Sequence, residues 1–232
     1  MESKHLMIIG IISLFLLQNI ILLEPQSHIN NKEKIIFDNV SPSQLYYSYN
    51  ITIHNSPSGN GYYQQLFTLK NYSIYNINSN GSNFYVAYEN NTLIYTWVQS
   101  INKTVISFWS KILNGTSIIK IDVYNNKTNL FSSNGHIGEA PQLSSTYAEY
   151  DNGVNVFPYY WNFAGTTLPS SFTTAGTGSY IQNNGITINS SDNNNYEIIT
   201  AIPSGNTTID SLMELNSSTN GNIALGYGGG NP

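Results

Sequence analysis

The sequence contains tyrosines and tryptophans whose flat faces can stack on sugar rings through the C–H groups of the sugar. The same rings also serve as packing groups in protein cores and across neighbouring strands. Two of the tryptophans fall in the middle of predicted strands, where β-sandwiches bury large rings, so packing is the favoured interpretation. The candidate ligand-binding residues are Trp97, Trp109, Tyr159, Tyr160 and Trp161.

Asparagine offers a second kind of chemistry, because Asn-x-Ser/Thr is the acceptor motif of N-glycosylation. The eleven sequons only mildly exceed the number expected by chance, and asparagine also favours turns on its own account. Those at 90, 102, 114 and 126 fall at predicted turns, where an exposed tip suits a bulky glycan. If the chain is exported in a glycosylating host, we expect some sites to be occupied. The candidate acceptors are Asn39, Asn50, Asn71, Asn80, Asn90, Asn102, Asn114, Asn126, Asn189, Asn206 and Asn216.

Carboxylates and histidines predict neither a catalytic site nor a metal site. A retaining glycosidase needs two carboxyl groups about 5 Å apart, whereas the glutamates are scattered along this chain. Residues 151–153 and 192–195 offer oxygen ligands, but an EF-type loop would need another ligand where Tyr196 stands, so both are interpreted as turns. The four histidines form no i, i+4 pair. The sequence therefore predicts a protein that is not an enzyme and holds no cofactor.

The composition excludes several classes of protein. The net charge is −5 and only 9% of the residues are charged. Nucleic acid, which requires clustered basic residues to displace counterions, is therefore not an expected partner. The chain has no cysteine, so disulfides and thiolate metal sites are ruled out. Aromatic residues make up 13% of the chain, which argues against disorder and favours strands.

The first 30 residues differ from the rest of the chain. Residues 6–23 are almost purely apolar and follow a short head with Lys4 and His5, a pattern typical of an export signal or a single membrane anchor. We expect a hydrophobic helix here. Its length is marginal for a bilayer, which needs about 20 apolar residues, and no clear cleavage site follows, so a cleaved signal and a retained anchor both stay open. Either predicts a secreted or cell-surface protein, contacting the membrane through this segment if it is retained.

The elements that would position the candidate residues follow a β pattern from about residue 49. Short alternating stretches are separated by Asn-Gly or Asn-x turns, which is typical of hairpins in a meander. Ile119, Ile121 and Val123 share one face, as the buried side of an antiparallel sandwich requires. No sustained apolar stripe of period 3.6 follows the first 30 residues, so almost no helix is expected there. The predicted strands are 49–54, 62–69, 83–89, 92–99, 104–112 and 116–124.

The pattern changes at residues 132–153. This stretch is long for a loop inside a compact domain, and it indicates either a domain linker or an extended edge segment. Residues 154–161 are predicted to begin a second β-rich region, and residues 179–182 and 186–188 are predicted to form a hairpin around an Asn-Asn-Gly turn. Further strands are predicted at 196–202, 209–215 and 222–227.

Several motifs between residues 45 and 153 occur together in one known family. They are Ile51-Thr-Ile53, Asn83-Phe-Tyr-Val86, Tyr95-Thr-Trp97, Phe108-Trp-Ser-Lys-Ile112, Ile121-Asp-Val-Tyr-Asn-Asn126, Ser132-Ser-Asn-Gly135 and the segment 138–147. With them the region resembles the domain-of-unknown-function family 2341, a small β domain of prokaryotic surface proteins, and its archaeal members in particular. That family has no established activity, so the resemblance implies location and architecture and no particular chemistry.

A second resemblance covers residues 154–232. Trp161-Asn-Phe-Ala-Gly165 with Leu168, and Asn184-Gly-Ile-Thr-Ile188, are similar to the opening strands of a concanavalin-A-like (laminin-G-like) jelly roll. The tryptophan that usually follows that leucine is absent, with Phe172 nearest, and such jelly rolls are commonly longer. The resemblance therefore implies a partial jelly roll.

These patterns predict an all-β protein. Its expected parts are a signal or anchor over 1–30, an antiparallel β-sandwich over 36–131, a linker or extended segment over 132–153, and a partial jelly roll over 154–232. The expected function is that of an exported, non-catalytic cell-surface module that contacts carbohydrate or neighbouring surface-layer proteins. A fragment of a glycan-active enzyme of the glycoside hydrolase type and a decayed remnant stay open as alternatives.

Overall fold

The computed structural model describes residues 45–189, 196–201 and 211, and this part of the chain is almost entirely β. The all-β fold class is thus confirmed. The hydrophobic helix expected within 1–30, the sequons at Asn39, Asn206 and Asn216, and the strands predicted at 209–215 and 222–227 lie outside the described residues, apart from the isolated residue 211. Within the described ranges, no helix is long and apolar enough to cross a membrane.

The first eight strands form two four-stranded sheets. They are β1 (Leu45–Thr52), β2 (Tyr62–Lys70), β3 (Phe84–Tyr88), β4 (Leu93–Ile94), β5 (Thr96–Ile101), β6 (Val105–Leu113), β7 (Ile118–Tyr124) and β8 (Ile137–Glu139). Sheet 1 has the order β1-β7-β3-β4 and is antiparallel throughout. Sheet 2 has the order β2-β6-β5-β8, and its edge pair β5-β8 is parallel.

The two sheets pack face to face around an apolar core. Ile119, Ile121 and Val123, which the alternation places on one side of β7, are fully buried. Phe84 of sheet 1 and Phe108 of sheet 2 contact each other across the interface, with ring centroids 5.2 Å apart. Burying each large apolar side chain stabilises the fold by about 1.5–3 kcal/mol, so the period-2 pattern drives the sandwich.

The strand order differs from the predicted meander of hairpins. Within the sandwich, only the β3-β4 and β5-β6 pairs join strands that follow one another in the chain, whereas β1 pairs with β7 and β2 pairs with β6. The predicted strand 92–99 serves both sheets, because β4 belongs to sheet 1 and β5 belongs to sheet 2. Its inward side chains Ile94, Thr96 and Val98 are all buried, so changing sheets keeps one face in contact with the same core.

The segment 132–153 contains β8, which extends sheet 2 at its edge. Ile137 of this strand is fully buried and lies opposite Thr96 of β5. Asn152 adds a side-chain tie, since its Nδ2 donates to the backbone carbonyls of Thr96 and Gly135 at 3.1 and 3.3 Å. Gly138 passes so close to Asn152 that a Cβ there would lie 2.5 Å from the amide oxygen.

The strand start predicted over residues 154–161 is wrong. The chain instead forms one helical turn, α1 (Gly153–Val156), in which the Phe157 N–H donates to the Gly153 carbonyl at 2.9 Å. The Asp151 carboxylate accepts a hydrogen bond from the Gly153 N–H at 3.1 Å, which satisfies one of the donors left free at the start of a helix. A strand here would have needed hydrogen bonds to a neighbouring strand. The local hydrogen bonds of α1 and its packing on sheet 2 take their place.

Four further strands follow: β9 (Phe172–Gly176), β10 (Ser179–Gln182), β11 (Ile186–Asn189) and β12 (Tyr196–Thr200). They form two separate antiparallel pairs, β10-β11 and β9-β12. The β10-β11 hairpin lies where the Asn-Asn-Gly turn predicts it. Asn184 and Gly185 both have positive φ there, as tight hairpin turns require.

Candidate functional site

Four aromatic rings form a packed group, here called the inner cluster, on the outer face of sheet 2. Trp97 of β5 and Trp109 of β6 lie directly opposite each other in the ladder. Phe157 packs edge-on against both, with centroids 5.4 and 5.7 Å away, and Tyr160 lies 5.8 Å from Trp97. Phe157 and Tyr160 are themselves stacked at 5.9 Å. The segment after α1 therefore covers the tryptophans, and Trp109 is only 8% exposed.

Asp151 is the polar centre that holds the inner cluster. Its Oδ1 accepts from Trp97 Nε1 at 2.9 Å, from the Tyr160 hydroxyl at 2.8 Å and from the Gly153 N–H at 3.1 Å. Its Oδ2 accepts from Asn162 Nδ2 at 2.6 Å. Burial raises the pKa of Tyr160, and the charge of the Asp151 carboxylate raises it further, so the Tyr160 hydroxyl stays protonated and donates.

Close packing beneath Tyr160 depends on a glycine. A Cβ at Gly153 would lie 2.4 Å from the Tyr160 ring, which real side chains do not tolerate. Because Gly153 has no side chain, the Tyr160 ring can pack directly against the backbone of α1. Gln64 adds a further tie from β2, because its Nε2 donates to the Val156 carbonyl at 3.2 Å.

The neighbouring aromatic residues form a second group, here called the outer platform. Tyr159 and Trp161 stack with centroids 6.3 Å apart and planes inclined by 25°. Trp161 packs edge-on against Phe172 at 5.0 Å, and Phe163 contacts the same ring at 5.3 Å. Tyr159 is 44% exposed, so the outer platform presents aromatic surface that the inner cluster does not.

A groove of about 140 Å³ runs beside the outer platform. It is lined by Val154, Tyr160, Trp161, Asn162, Phe163, Ala164 and Pro169. Among these residues Asn162 is fixed in place, since its Nδ2 donates to Asp151 and its Oδ1 accepts from the Ala164 N–H at 3.0 Å. The Tyr147 hydroxyl donates to the Asn162 carbonyl at 2.5 Å. The groove thus combines aromatic walls with a polar residue in a fixed orientation.

The five predicted ligand-binding residues divide between these two groups. Trp97, Trp109 and Tyr160 belong to the inner cluster, while Tyr159 and Trp161 belong to the outer platform. Sequence reasoning missed the contributions of Phe157, Asp151, Asn162 and Phe163. The dense run of aromatic residues over 157–163 was the available signal for the rings, whereas nothing local distinguishes Asp151 from an ordinary turn residue.

Glu139 is a second buried carboxyl group near this region. It is 5% exposed and accepts a hydrogen bond from the Ser144 hydroxyl. Burial raises its pKa most, the Ser144 bond lowers the pKa, and the negative charge of Glu149 raises it again. In the part of the chain that the structure describes, no three acidic or histidine side chains are grouped to hold a metal ion.

The described sequons occupy several kinds of position. Asn50 lies within β1, opposite Lys120 in the ladder, and Asn189 is the last residue of β11. The remaining described candidates lie in turns and connections between strands: Asn71, Asn80, Asn90, Asn102, Asn114 and Asn126.

Comparisons with known proteins give one informative similarity. The chain is similar to a protein of Sulfolobus islandicus rod-shaped virus 1 that is described as Uncharacterized protein 562. The two are 34% identical over 143 residues, which cover 56% of this chain and 24% of the viral protein. The chain therefore spans about a quarter of the length of this relative. No protein-family model and no solved structure matches the chain.

Proposed function

We propose that this chain is an exported, non-catalytic surface module that binds carbohydrate in the groove beside the outer platform. The observation that carries the proposal is the contrast between the two aromatic groups. The inner cluster is packed and hydrogen-bonded, whereas Tyr159 of the outer platform remains 44% exposed although it is stacked on Trp161. Tyr47 on β1 is equally exposed, so exposure alone does not mark a site. Tyr159 differs because its stacking partner Trp161 lines the groove.

The chemistry of the groove suits a sugar. A sugar ring has an apolar C–H face that matches an aromatic wall, and hydroxyl groups that need directed polar partners. Trp161 makes ring contacts with Tyr159 and Phe172, and its indole N–H donates to no residue of the described chain. The fixed Asn162 lies in the same groove. The aromatic wall, the oriented amide and an indole N–H that has no acceptor among the described residues together form a small recognition surface.

The Asp151 carboxylate, which holds the groove residues Tyr160 and Asn162, supports binding over catalysis. An ionised carboxylate offers about four lone-pair positions, and Asp151 accepts four hydrogen bonds. A general base must have a lone pair directed at the proton that it removes. Asp151 therefore acts as an anchor for the surrounding side chains, which is the role expected in a binding module.

Export is supported by the apolar run 6–23 and its charged head. The resemblance to family 2341 favours the same location, because that family consists of β domains of prokaryotic surface proteins. The similar viral protein carries no named activity, so the proposal rests on the groove and on the sequence pattern.

A glycan array followed by calorimetric titration tests the binding proposal. We expect the intact protein to retain at least one class of glycan. Trp161→Ala should weaken binding by up to about tenfold, because an aromatic contact contributes roughly 0.5–1.5 kcal/mol and about 1.4 kcal/mol corresponds to a factor of ten. Tyr159→Ala should weaken it in the same direction.

Tyr47→Ala is the matched control. Tyr47 is also 44% exposed and also contacts aromatic neighbours, but it lies on β1 in sheet 1. Its replacement should leave glycan affinity unchanged. An array without hits, or equal losses for Tyr47→Ala and Trp161→Ala, would remove the proposal.

A further inference from the structure

We infer that Asn102 and Asn90 are acceptor sites for N-linked glycans in the folded protein, and that Asn114 and Asn80 are not. The inference rests on the export part of the proposed function, because an acceptor must meet a glycosyltransferase outside the cytosol. The four sequons are alike as motifs, and the structure distinguishes them by where the amide nitrogen and the motif hydroxyl lie.

Asn102 has a free and oriented amide nitrogen. Its Oδ1 accepts from the backbone N–H groups of Thr104 and Val105, each at 2.9 Å, and from the Thr104 hydroxyl at 3.4 Å. Backbone N–H groups can only donate, so the atom facing them must be the oxygen, and Nδ2 points the other way. Asn102 and Thr104 are both exposed in the β5-β6 turn, and Nδ2 bonds to no described residue.

Asn90 repeats this arrangement in the β3-β4 turn. Its Oδ1 accepts from the Thr92 N–H at 3.0 Å, and both residues are exposed. Asn91 between them has a φ of 66°, in the left-handed region typical of tight turns. The Tyr88 hydroxyl at the end of β3 accepts from the Leu113 N–H at the end of β6. Because Asn102 lies where β6 begins, the two acceptors lie at opposite ends of the sandwich.

Asn114 and Asn80 lack one of these features each. Asn114 donates through Nδ2 to the Asn60 carbonyl at 3.5 Å, and its Oδ1 is buried. Its amide is therefore turned into the protein. Asn80 is exposed, but the motif hydroxyl on Ser82 belongs to a residue that is 1% exposed and accepts from Asn78 Nδ2 at 3.1 Å. A transferase must reach both groups of the motif, and here it can reach only one.

The modification itself is a glycosyl transfer. The amide nitrogen of asparagine attacks C1 of a sugar that is activated as a lipid-linked phosphate or pyrophosphate ester. The new N–C1 bond forms as the C1–O bond to phosphate breaks. The phosphate departs with the bonding electron pair, and one amide proton passes to a base of the transferase. No oxidant or reductant is needed.

Mass spectrometry of the full chain, produced in an exporting and N-glycosylating cell, tests the inference. We expect sugar mass on the peptides with Asn102 and Asn90, and bare peptides at Asn114 and Asn80. Thr104→Ala should abolish the modification at Asn102, while Thr104→Ser should retain it. Exported protein that is bare at both predicted sites, or that carries glycan at Asn114, would overturn the inference.

A second version of the experiment separates this inference from the proposed export. Residues 1–30 are replaced by the host cell's own signal peptide, so secretion no longer depends on the native segment. Sugar at Asn102 and Asn90 is still expected. The native chain could stay in the cytosol while the chain with the host signal peptide is glycosylated at Asn102 and Asn90. In that case the export proposal fails and the assignment of acceptors stands. If the replaced chain is secreted bare at these sites, the assignment fails.

Discussion

Asp151→Asn is the substitution that most directly tests how the groove is held. Asp151 uses one oxygen for Trp97, Tyr160 and Gly153, and the other oxygen for Asn162. Asparagine keeps one acceptor oxygen, which can serve the first three donors. It places an amino group where the second oxygen stood, so that two N–H donors would face each other across the 2.6 Å contact.

The cost of Asp151→Asn follows from these bonds. A hydrogen bond to a charged group contributes about 1.5–3 kcal/mol, and one such bond is lost outright. The three remaining bonds lose their charge assistance. We expect a total loss of about 2–3 kcal/mol in the free energy of unfolding. In a domain of this size each kcal/mol lowers Tm by about 2–4 °C, so the variant should melt roughly 4–12 °C lower.

A reversed pair provides the control. In the double variant Asp151→Asn with Asn162→Asp, the amide at 151 donates to a carboxylate at 162. That carboxylate can still accept from the Ala164 N–H, which donates to Asn162 at 3.0 Å in the wild type. Asn162→Asp alone would instead bring two carboxylates together. We therefore expect the double variant to lose about 1–2 kcal/mol less unfolding free energy than the two single variants lose together.

Urea unfolding followed by tryptophan fluorescence is a suitable assay, because Trp97 and Trp109 lie in the inner cluster and report its packing. The expected result is a lower midpoint for each single variant and partial recovery in the double variant. A wild-type midpoint for Asp151→Asn would refute the argument that its carboxylate anchors the groove. Additive losses in the double variant would refute the specific pairing with Asn162.

Three further substitutions test packing and buried charge, each by urea unfolding. Gly153→Ala would place a Cβ 2.4 Å from the Tyr160 ring and should cost about 1–3 kcal/mol; an unchanged midpoint would contradict this packing. Phe108→Ala removes a fully buried ring and should cost about 3–5 kcal/mol; a loss below about 1 kcal/mol would contradict its place in the core. Burial raises the pKa of Asp122 above its ordinary value of 3.8, although the Ser48 hydrogen bond lowers it. Stability from this group is therefore present at low pH and lost as pH rises through the folded pKa, so Asp122→Asn should flatten that decline above about pH 4; parallel pH profiles would contradict it.

The strands and their inward faces could be predicted from the sequence, because both are local properties. Alternation alone places Ile119, Ile121 and Val123 on the buried face. The pairing of strands could not be predicted in the same way. Tyr49 of β1 pairs with Ile121 of β7, and nothing in either strand identifies a partner so far along the chain. The turns between them indicated hairpins, but the shared core decided which sheet each strand joined.

The candidate site also depends on contacts between residues far apart in the chain, which the sequence alone does not reveal. Trp97 and Trp109 stand out in the sequence because of their residue type, and their mid-strand positions favoured packing. Asp151 carries no such mark, since its importance comes from donors at positions 97 and 160 that only the fold brings near. The tertiary contacts of Asp151 and Gly153 also explain why residues 154–161 do not begin a strand despite their β-favouring composition.

In the segment after α1, adjacent aromatic residues have different roles: one packs against the protein and its neighbours form the outer platform. Tyr160 points toward sheet 2 and Asp151, whereas Tyr159 and Trp161 on either side of it stack with each other in the outer platform. The chain bends at Pro158 and Tyr159, and the ring contacts show that Tyr160 belongs to one aromatic group while its two neighbours belong to the other. Three consecutive aromatic residues can therefore anchor the segment and present a contact surface at once. It follows that replacing Tyr160 should lower both stability and binding, whereas replacing Tyr159 should lower binding alone.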